Sequence, residues 1–303
     1  MTVLVTGATG FVGSNVVRQL VASGADVAII VRPDSSRHRL DGVIRRVQVL
    51  EGDLGDGATV GWLIEACKPE ACIHAAWYAE PGKYLDSARN LDSLRSSLDL
   101  LERLANAGCT HVVGVGTCFE YEMRDTPLTE ESKTKPFTLY AASKLAFYLV
   151  AAQRAKQLGM GMAWARLFYL YGPYEDERRL VPAEIKALSA GREFAGTSGG
   201  QVRDYLHVED VASALCALSH HKLDGVFNVS SGEPVTIAAL MRTLGELLGK
   251  PELIRLGALP PRAWDPAYVC GDNQRLRTEA HWAPRHTLRD GLAQTIEWWK
   301  KAA

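Results

Sequence analysis

Tyr140-Ala141-Ala142-Ser143-Lys144 sets a phenol and an ammonium four residues apart, a spacing that on a helix brings both to one face. A phenol titrates near pH ~10 and is a poor base at neutral pH, so a fixed positive charge beside it is the simplest way to favour phenolate. Lys144 supplies such a charge to Tyr140. Alone, this spacing more often marks an exposed helix face. Its upstream company changes the balance: the apolar run ending in Gly114-Val115-Gly116 delivers Thr117 to a C-terminal strand edge, where open α/β sheets place their ligands. The Thr117 hydroxyl could hold a carbonyl or alcohol oxygen beside Tyr140.

A second group points to the molecule that would exchange a hydride there. Thr6-Gly7-Ala8-Thr9-Gly10-Phe11-Val12-Gly13 lies between a short apolar run and a helical pattern. Glycines at such a turn let backbone N–H groups approach a pyrophosphate at the positive end of the helix. The spacing is GxxGxxG, one residue longer in its first gap than the usual dinucleotide fingerprint, and a turn with a small-residue packing contact is the plainer alternative. Strand, turn and helix in the required order favour the cofactor. Gly7, Thr9, Gly10, Phe11, Val12 and Gly13 are therefore candidate cofactor contacts. After the second strand, where a reader of the ribose 2′-hydroxyl would be Asp or Glu, the chain has Val31-Arg32-Pro33-Asp34-Ser35-Ser36-Arg37. Arg32 and Arg37 suit a 2′-phosphate, which favours NADP(H) over NAD(H), unless both are solvated surface residues or Arg32 stacks on the adenine. Asp53 and Leu54 follow the third strand at the level of the adenine; a turn cap is the equally simple reading of Asp53.

These groups need rigid elements to hold them. Residues 2–6 and 27–31 read as parallel strands around a helix at 11–23, and further strands are expected near 47–50, 71–74, 112–115 and 162–166. Helices are expected between them near 57–67, 85–107 and 139–158. This alternation predicts an α/β, Rossmann-type doubly wound parallel sheet. After Leu167 the rhythm changes to proline-bearing loops, short helices near 181–190, 208–220 and 236–249, and isolated strands near 226–229 and 253–256. The division expected is a dinucleotide-binding domain with the catalytic helix over 1–167, and over 168–303 mainly a smaller substrate-binding lobe. Segments near 201–230 would return to the first domain. A last helix, about 287–300, starts at a Thr287 cap and carries Trp298 and Trp299.

The whole chain sets outer bounds. Its 303 residues suffice for one large α/β domain carrying a smaller one. Thirty-four basic against thirty-five acidic residues give a formal net charge of -1, with no global field toward nucleic acid or an anionic membrane. No apolar run reaches the roughly 18 residues of a membrane span. The six cysteines form no CxxC pair and the N-terminus opens on strand-like sequence, so a reduced, cytoplasmic protein is expected. No His, Cys and carboxylate cluster has ligand spacing, so no metal is expected.

Taken together, the N-terminal TGxxGxxG loop, Thr117 after the fifth strand and the YxxxK helix resemble the extended short-chain dehydrogenase/reductase family. Arg166-Leu167-Phe168-Tyr169-Leu170-Tyr171-Gly172-Pro173, Leu180-Val181-Pro182, Gln201 to Asp210 and Asn228-Val229-Ser230-Ser231-Gly232 are similar to its nucleotide-sugar epimerase/dehydratase/reductase branch. The resemblance implies that Thr117, Tyr140 and Lys144 are catalytic, with Tyr140 as acid or base and Lys144 also holding the cofactor's ribose. It implies cofactor contacts at Ala75 and Ala76, and a sugar pocket shaped by Trp77 and Tyr78, with Cys118, Phe119 and Val181 as further substrate contacts. Arg203, with Arg262 as a second clamp, would hold a nucleotide diphosphate; ion pairing of Arg203 with Asp204 or Asp210 is the alternative. A homodimer through paired long helices is the expected assembly.

Relatives that eliminate water between sugar carbons 4 and 6 carry an Asp-Glu pair directly after the catalytic threonine, whereas this chain has Cys118-Phe119. A thiol and a phenyl ring do not replace two carboxylates, which argues against dehydration. Cys118 reads as a buried inert thiol, His74 as a packing residue beside the cofactor and His207 as a structural hydrogen-bonder. The expected function is reduction of a nucleotide-linked 4-keto-6-deoxysugar with NADPH. The alternatives are a 4-epimerase that retains NAD and, more remotely, a non-catalytic NADP sensor.

Overall fold

A computed structural model describes residues 2–261 and 265–302. The chain runs β1 (Thr2–Thr6), α1 (Phe11–Ala22), β2 (Asp26–Val31), β3 (Gln48–Glu51), α2 (Gly57–Cys67), β4 (Ala71–His74), α3 (Arg89–Asn106), β5 (His111–Thr117), α4 (Leu139–Gln157) and β6 (Gly161–Leu167). It continues through β7 (Tyr169–Tyr171), α5 (Leu180–Ser189), β8 (Phe194–Ala195), β9 (Val202–His207), α6 (Val208–His220), β10 (Gly225–Val229) and β11 (Pro234–Thr236). It ends with α7 (Ile237–Leu248), β12 (Ile254–Arg255), β13 (Tyr268–Val269), α8 (Gln274–Glu279) and α9 (Leu288–Ala302).

Seven parallel strands make the central sheet in the order β10-β6-β5-β4-β1-β2-β3. Because side chains alternate along a strand, each strand feeds two cores. Val3, Val5, Ile29, Val113 and Ala165 meet α1 and α6 on one face. Leu4, Ala28, Ile30, Cys72 and Trp164 meet α2, α3 and α4 on the other. Burial on both faces explains the continuous apolar runs of these strands, and the sheet is the expected Rossmann-type doubly wound one. The winding reverses between β1 and β4. That switch opens a crevice at the C-terminal strand ends, where Gly7, Ala75 and Thr117 stand.

The later chain forms a second cluster. β9 pairs with β7, β11 and β13, while β8 pairs with β12. Tyr171, Val181, Ile185, Leu240, Leu244, Leu292 and Ile296 pack α5, α7 and α9 together. The chain does not stay there: α6 covers the central sheet and β10 pairs in parallel with β6. Thr287 Oγ1 accepts from Asp290 N at 3.2 Å, so the last helix begins at the cap its sequence suggests. Among the described residues no helix is long and apolar enough to cross a membrane.

Candidate active site

The first wall of the crevice is the β1–α1 turn. Gly7 has φ +68°, and a Cβ there would lie 2.6 Å from Ala76 N. The position therefore requires glycine twice over, for conformation and for close approach to the strand-end segment of β4. Gly10 N donates to Gly7 O at 2.9 Å, and Gly10 caps α1 with no side chain over the first N–H groups. A Cβ on Gly13 would collide with the Gly7 carbonyl. Thr6 Oγ1 ties the strand ends together, 2.7 Å from His74 Nδ1, and His74 Nε2 meets Ser97 Oγ at 2.8 Å. Burial, then the Lys144 charge, lowers the His74 imidazole to about 3, so it is a neutral strut.

Arg32 and Arg37 follow β2 and are exposed to differing degrees. Arg37 pairs with Glu51 at the end of β3, and Arg32 Nε lies 3.8 Å from Asp34 and 3.5 Å from Ser35 Oγ. Asp53 accepts from Gly55 N at 2.8 Å, the turn cap that was one of two equal readings of it, and Leu54 packs against the core that α2 shares.

The second wall carries the candidate reactive groups. Thr138 caps α4 by accepting from Ala141 N, and Tyr140 N donates to Leu85 O at 2.8 Å, which fixes the first turn. Thr117, Tyr140 and Lys144 come together at the C-terminal end of β5. Burial drives the Tyr140 phenol well above its ordinary value, opposed by a hydrogen bond to the Thr117 side chain. Lys144 follows Tyr140 on α4 and is buried. Its Nζ donates to Val115 O at 2.6 Å and stands 4.0 Å above the Trp77 ring, and burial lowers it to about 7 against the pull of Glu120. The phenol is thus a proton donor in this arrangement, not a phenolate.

Glu120, one residue beyond Cys118-Phe119, reads from the sequence only as a helix or loop residue, and the structure gives it a larger place. It is fully buried and accepts from Thr117 N at 2.9 Å, Trp164 Nε1 at 3.0 Å and Arg166 Nε at 2.7 Å. Every one of these contacts is a donor, as a carboxylate requires. Arg166 stacks on Tyr121, whose hydroxyl donates to Asn228 Oδ1 at 2.7 Å. Gly114 and Gly116 leave room for this cage, since a Cβ on either would strike the Trp164 indole. The signal was present: Thr117-Cys118-Phe119-Glu120 has capping-box spacing, and both capping bonds form.

Other candidates land in several places. Cys118 is buried, with burial first and Asp204 second pushing its thiol up to about 12, so it is inert. Phe119 packs on Phe137 and Tyr169, at ring separations of 5.4 and 6.2 Å. Arg203 is buried on β9, pairs with Asp265 and lies 5.2 Å over Tyr169. Its ion partner is therefore neither Asp204 nor Asp210; Asp204 instead accepts from Ser231, Gly232 and Gly271 N–H groups. Tyr78 turns away, donating to Glu80 and lying under Arg89. Val181 is buried in the α5–α7–α9 core, so its side chain does not join the group around Tyr140. The Trp77 ring faces the Lys144 ammonium. Arg262 lies outside the described residues. His207 accepts from Glu209 N as the expected helix cap. The fold also brings His207, Glu209 and His286 to within 4.8 Å of one another, a grouping that spacing along the chain could not reveal. His286 Nδ1 is 2.9 Å from Asp210, which joins the segment before α9 to the start of α6.

A doubly wound sheet, a glycine turn under an uncapped helix and a Thr117–Tyr140–Lys144 group at the neighbouring strand end define an enzyme of the dinucleotide-binding α/β class. A model of the NAD dependent epimerase/dehydratase family matches residues 3–230, and the chain belongs to that family. It is 28% identical over 308 residues to a UDP-glucose 4-epimerase of Corynebacterium glutamicum, covering 95% of this chain and 92% of the relative. It is 30% identical over 318 residues to a dTDP-4-dehydro-6-deoxy-D-allose reductase of Streptomyces bikiniensis, covering 99% and 96%. The structure of Thermus thermophilus UDP-glucose 4-epimerase in complex with NAD is similar over 100% of both chains, with a TM-score of 0.89 and 26% identity.

Proposed function

We propose that this chain is an NADPH-dependent reductase of a nucleotide-linked 4-keto-6-deoxysugar. One observation carries the reading: among the described residues around Thr117, Tyr140 is the group free to exchange a proton with a substrate. Cys118 is a buried thiol, Phe119 is a hydrocarbon ring, and Glu120 is held inside its cage of donors. One proton donor suffices to reduce a ketone, whereas elimination needs an acid and a base.

The residues fit a nicotinamide dinucleotide. Gly7 leaves room where a Cβ would strike Ala76, and the first N–H groups of α1 carry no side-chain cap. When bound, the reduced cofactor supplies a hydride to the carbonyl carbon. Thr117 orients the carbonyl oxygen, and Tyr140, kept protonated by burial, delivers its hydroxyl proton to that oxygen. Lys144 holds the ribose. Arg203 binds the diphosphate, and Arg32 with Arg37 favours the 2′-phosphate of NADPH.

The test is NADPH oxidation across a panel of nucleotide-linked 4-ketosugars. Turnover is expected with at least one, and Tyr140→Phe should lower kcat by about 10²-fold or more while leaving NADPH binding intact. Absence of turnover across the panel overturns the reading. The 28% identity to a 4-epimerase supports a second reading, in which the same residues oxidise and re-reduce the sugar on retained NAD. Cofactor content separates the two: an epimerase purifies with NAD bound, and a reductase exchanges cofactor at every turnover.

The assembly proposed is a homodimer through α3 and α4, where Leu91, Leu149 and Val150 are exposed apolar residues. Light scattering after size exclusion should give twice the chain mass, and Leu149→Glu with Val150→Glu should give the monomer.

A further inference from the structure

Lys144 is buried, and its ammonium donates to the Val115 carbonyl. An ammonium has three donors and is costly to bury, so the rest of its environment must favour the charge. The closest such group is the indole of Trp77, whose ring centre lies 4.0 Å from Nζ. A cation over an indole face is attracted by the ring's negative quadrupole, and the attraction grows as water is removed.

The indole is itself held. Its Nε1 donates to Asn90 Oδ1 at 2.9 Å, and Asn90 is fully buried. Asn90 Nδ2 donates to Tyr84 O at 2.6 Å and Ser87 O at 2.9 Å, which ties the start of α3 to the preceding segment. That segment returns to the site: the Tyr84 ring stands edge-on to Tyr140 at 4.8 Å, and Leu85 O accepts from Tyr140 N. A single unit therefore touches both members of the reacting pair.

We infer that Trp77 is a positioning residue for the reaction, its indole face holding Lys144 as an ammonium above Val115 and Asn90 locking the indole in that pose. The inference rests on Tyr140 and Lys144 being the reacting pair. It gives Trp77 an electrostatic task in place of substrate contact, and Asn90 a task that acts through Trp77.

The sign follows from the groups around Nζ. Glu120, from the turn after β5, favours the ammonium. His74 on β4 is neutral, and Tyr140 on α4 is protonated, so neither opposes the face with a charge. Burial disfavours the ammonium. Where an apolar side chain fills the space of the indole and keeps water out, Lys144 loses a favourable contact without gaining hydration, and so loses its proton at lower pH.

The experiment follows the ¹³Cε resonance of Lys144 against pH in the full chain, without substrate or cofactor, assigned by its loss in Lys144→Met. Trp77→Leu and Trp77→Met should each lower the midpoint by about one pH unit, and Trp77→Phe, which keeps a ring over the ammonium, by less than half of that. Two ring-free variants guard against one failing to fold. The basic limb of turnover should move by the same amount. Midpoints equal to wild type in both ring-free variants overturn the inference, even if turnover falls at all pH values, since a packing role alone would give that result. Failure of the substrate panel leaves this titration readable, so the two readings fail separately.

Discussion

Arg37 illustrates how one neighbour sets what a residue can do. Its guanidinium is the second of two cations proposed to meet a 2′-phosphate, but Glu51 at the end of β3 already pairs with it. Binding a phosphate there must displace or share that carboxylate, and a carboxylate next to a phosphate site repels it. Glu51→Gln should therefore tighten NADPH binding, by roughly threefold to tenfold at low ionic strength, and leave NADH binding unchanged. The ratio of the two dissociation constants, from nicotinamide fluorescence, checks it; the pair is exposed, so the effect should shrink with added salt. Equal tightening of both cofactors would remove Arg37 from the 2′ position. Legibility at this scale depended on whether a residue's partner was local. The loop glycines, Thr117, Tyr140 and Lys144 follow from motif and order. The contact of Trp77 with Lys144 was not legible, because nothing along the chain relates two residues 67 positions apart by their numbers. Glu120 stands three residues from Thr117 at capping-box spacing, which is local, whereas its cage partners Trp164 and Arg166 lie on β6 and are not.

Elements with a strong period were the easiest to read. The central strands and α1, α2 and α4 lie where their apolar spacing puts them, because both faces of a buried sheet demand continuous apolar runs. α3 begins at Arg89 and not near 85, since Asn90 folds the preceding residues into a turn by bonding the Tyr84 and Ser87 carbonyls. The short strands β7, β8, β11 and β13 carry too few residues for a period, and β9 (VRDYLH) breaks alternation with buried Arg203 and Asp204. α5 holds a conflict that its pattern did not announce. Glu184 is fully buried, with no hydrogen-bond partner for either oxygen among the described residues, and burial raises its carboxyl to about 9. A carboxyl whose folded value lies above its unfolded one stabilises the fold fully below the unfolded value, and that stability is lost as pH rises through the folded value. Glu184→Gln removes this dependence. Its stability relative to wild type should therefore rise between pH 5 and 8, by roughly 1 kcal/mol per pH unit, as read by urea unfolding at the two ends. A constant difference across that range would mean that Glu184 finds a partner or water.

At the scale of the molecule, a division into two consecutive halves would be wrong in one respect that matters. The sheet does not finish with β6. Its last strand, β10, arrives after the chain has built β7, α5, β8, β9 and α6, and it pairs with β6 through residues 225–229. Phe227 and Val229 complete the core beneath α1 and α6, and Asn228 holds both Tyr121 and the Leu128 carbonyl behind the Glu120 cage. The later elements, proposed to recognise the substrate, are therefore threaded through the sheet proposed to hold the cofactor. A chimera that joined residues 1–167 to the remainder of a relative would import a foreign edge strand and a foreign partner for Tyr121. Exchange of specificity between members of this family calls for two crossovers on each side of the β9–β10 return, with α6 and β10 left in their original company. Recombination that respects that weave should preserve folding, and recombination at a single point should not.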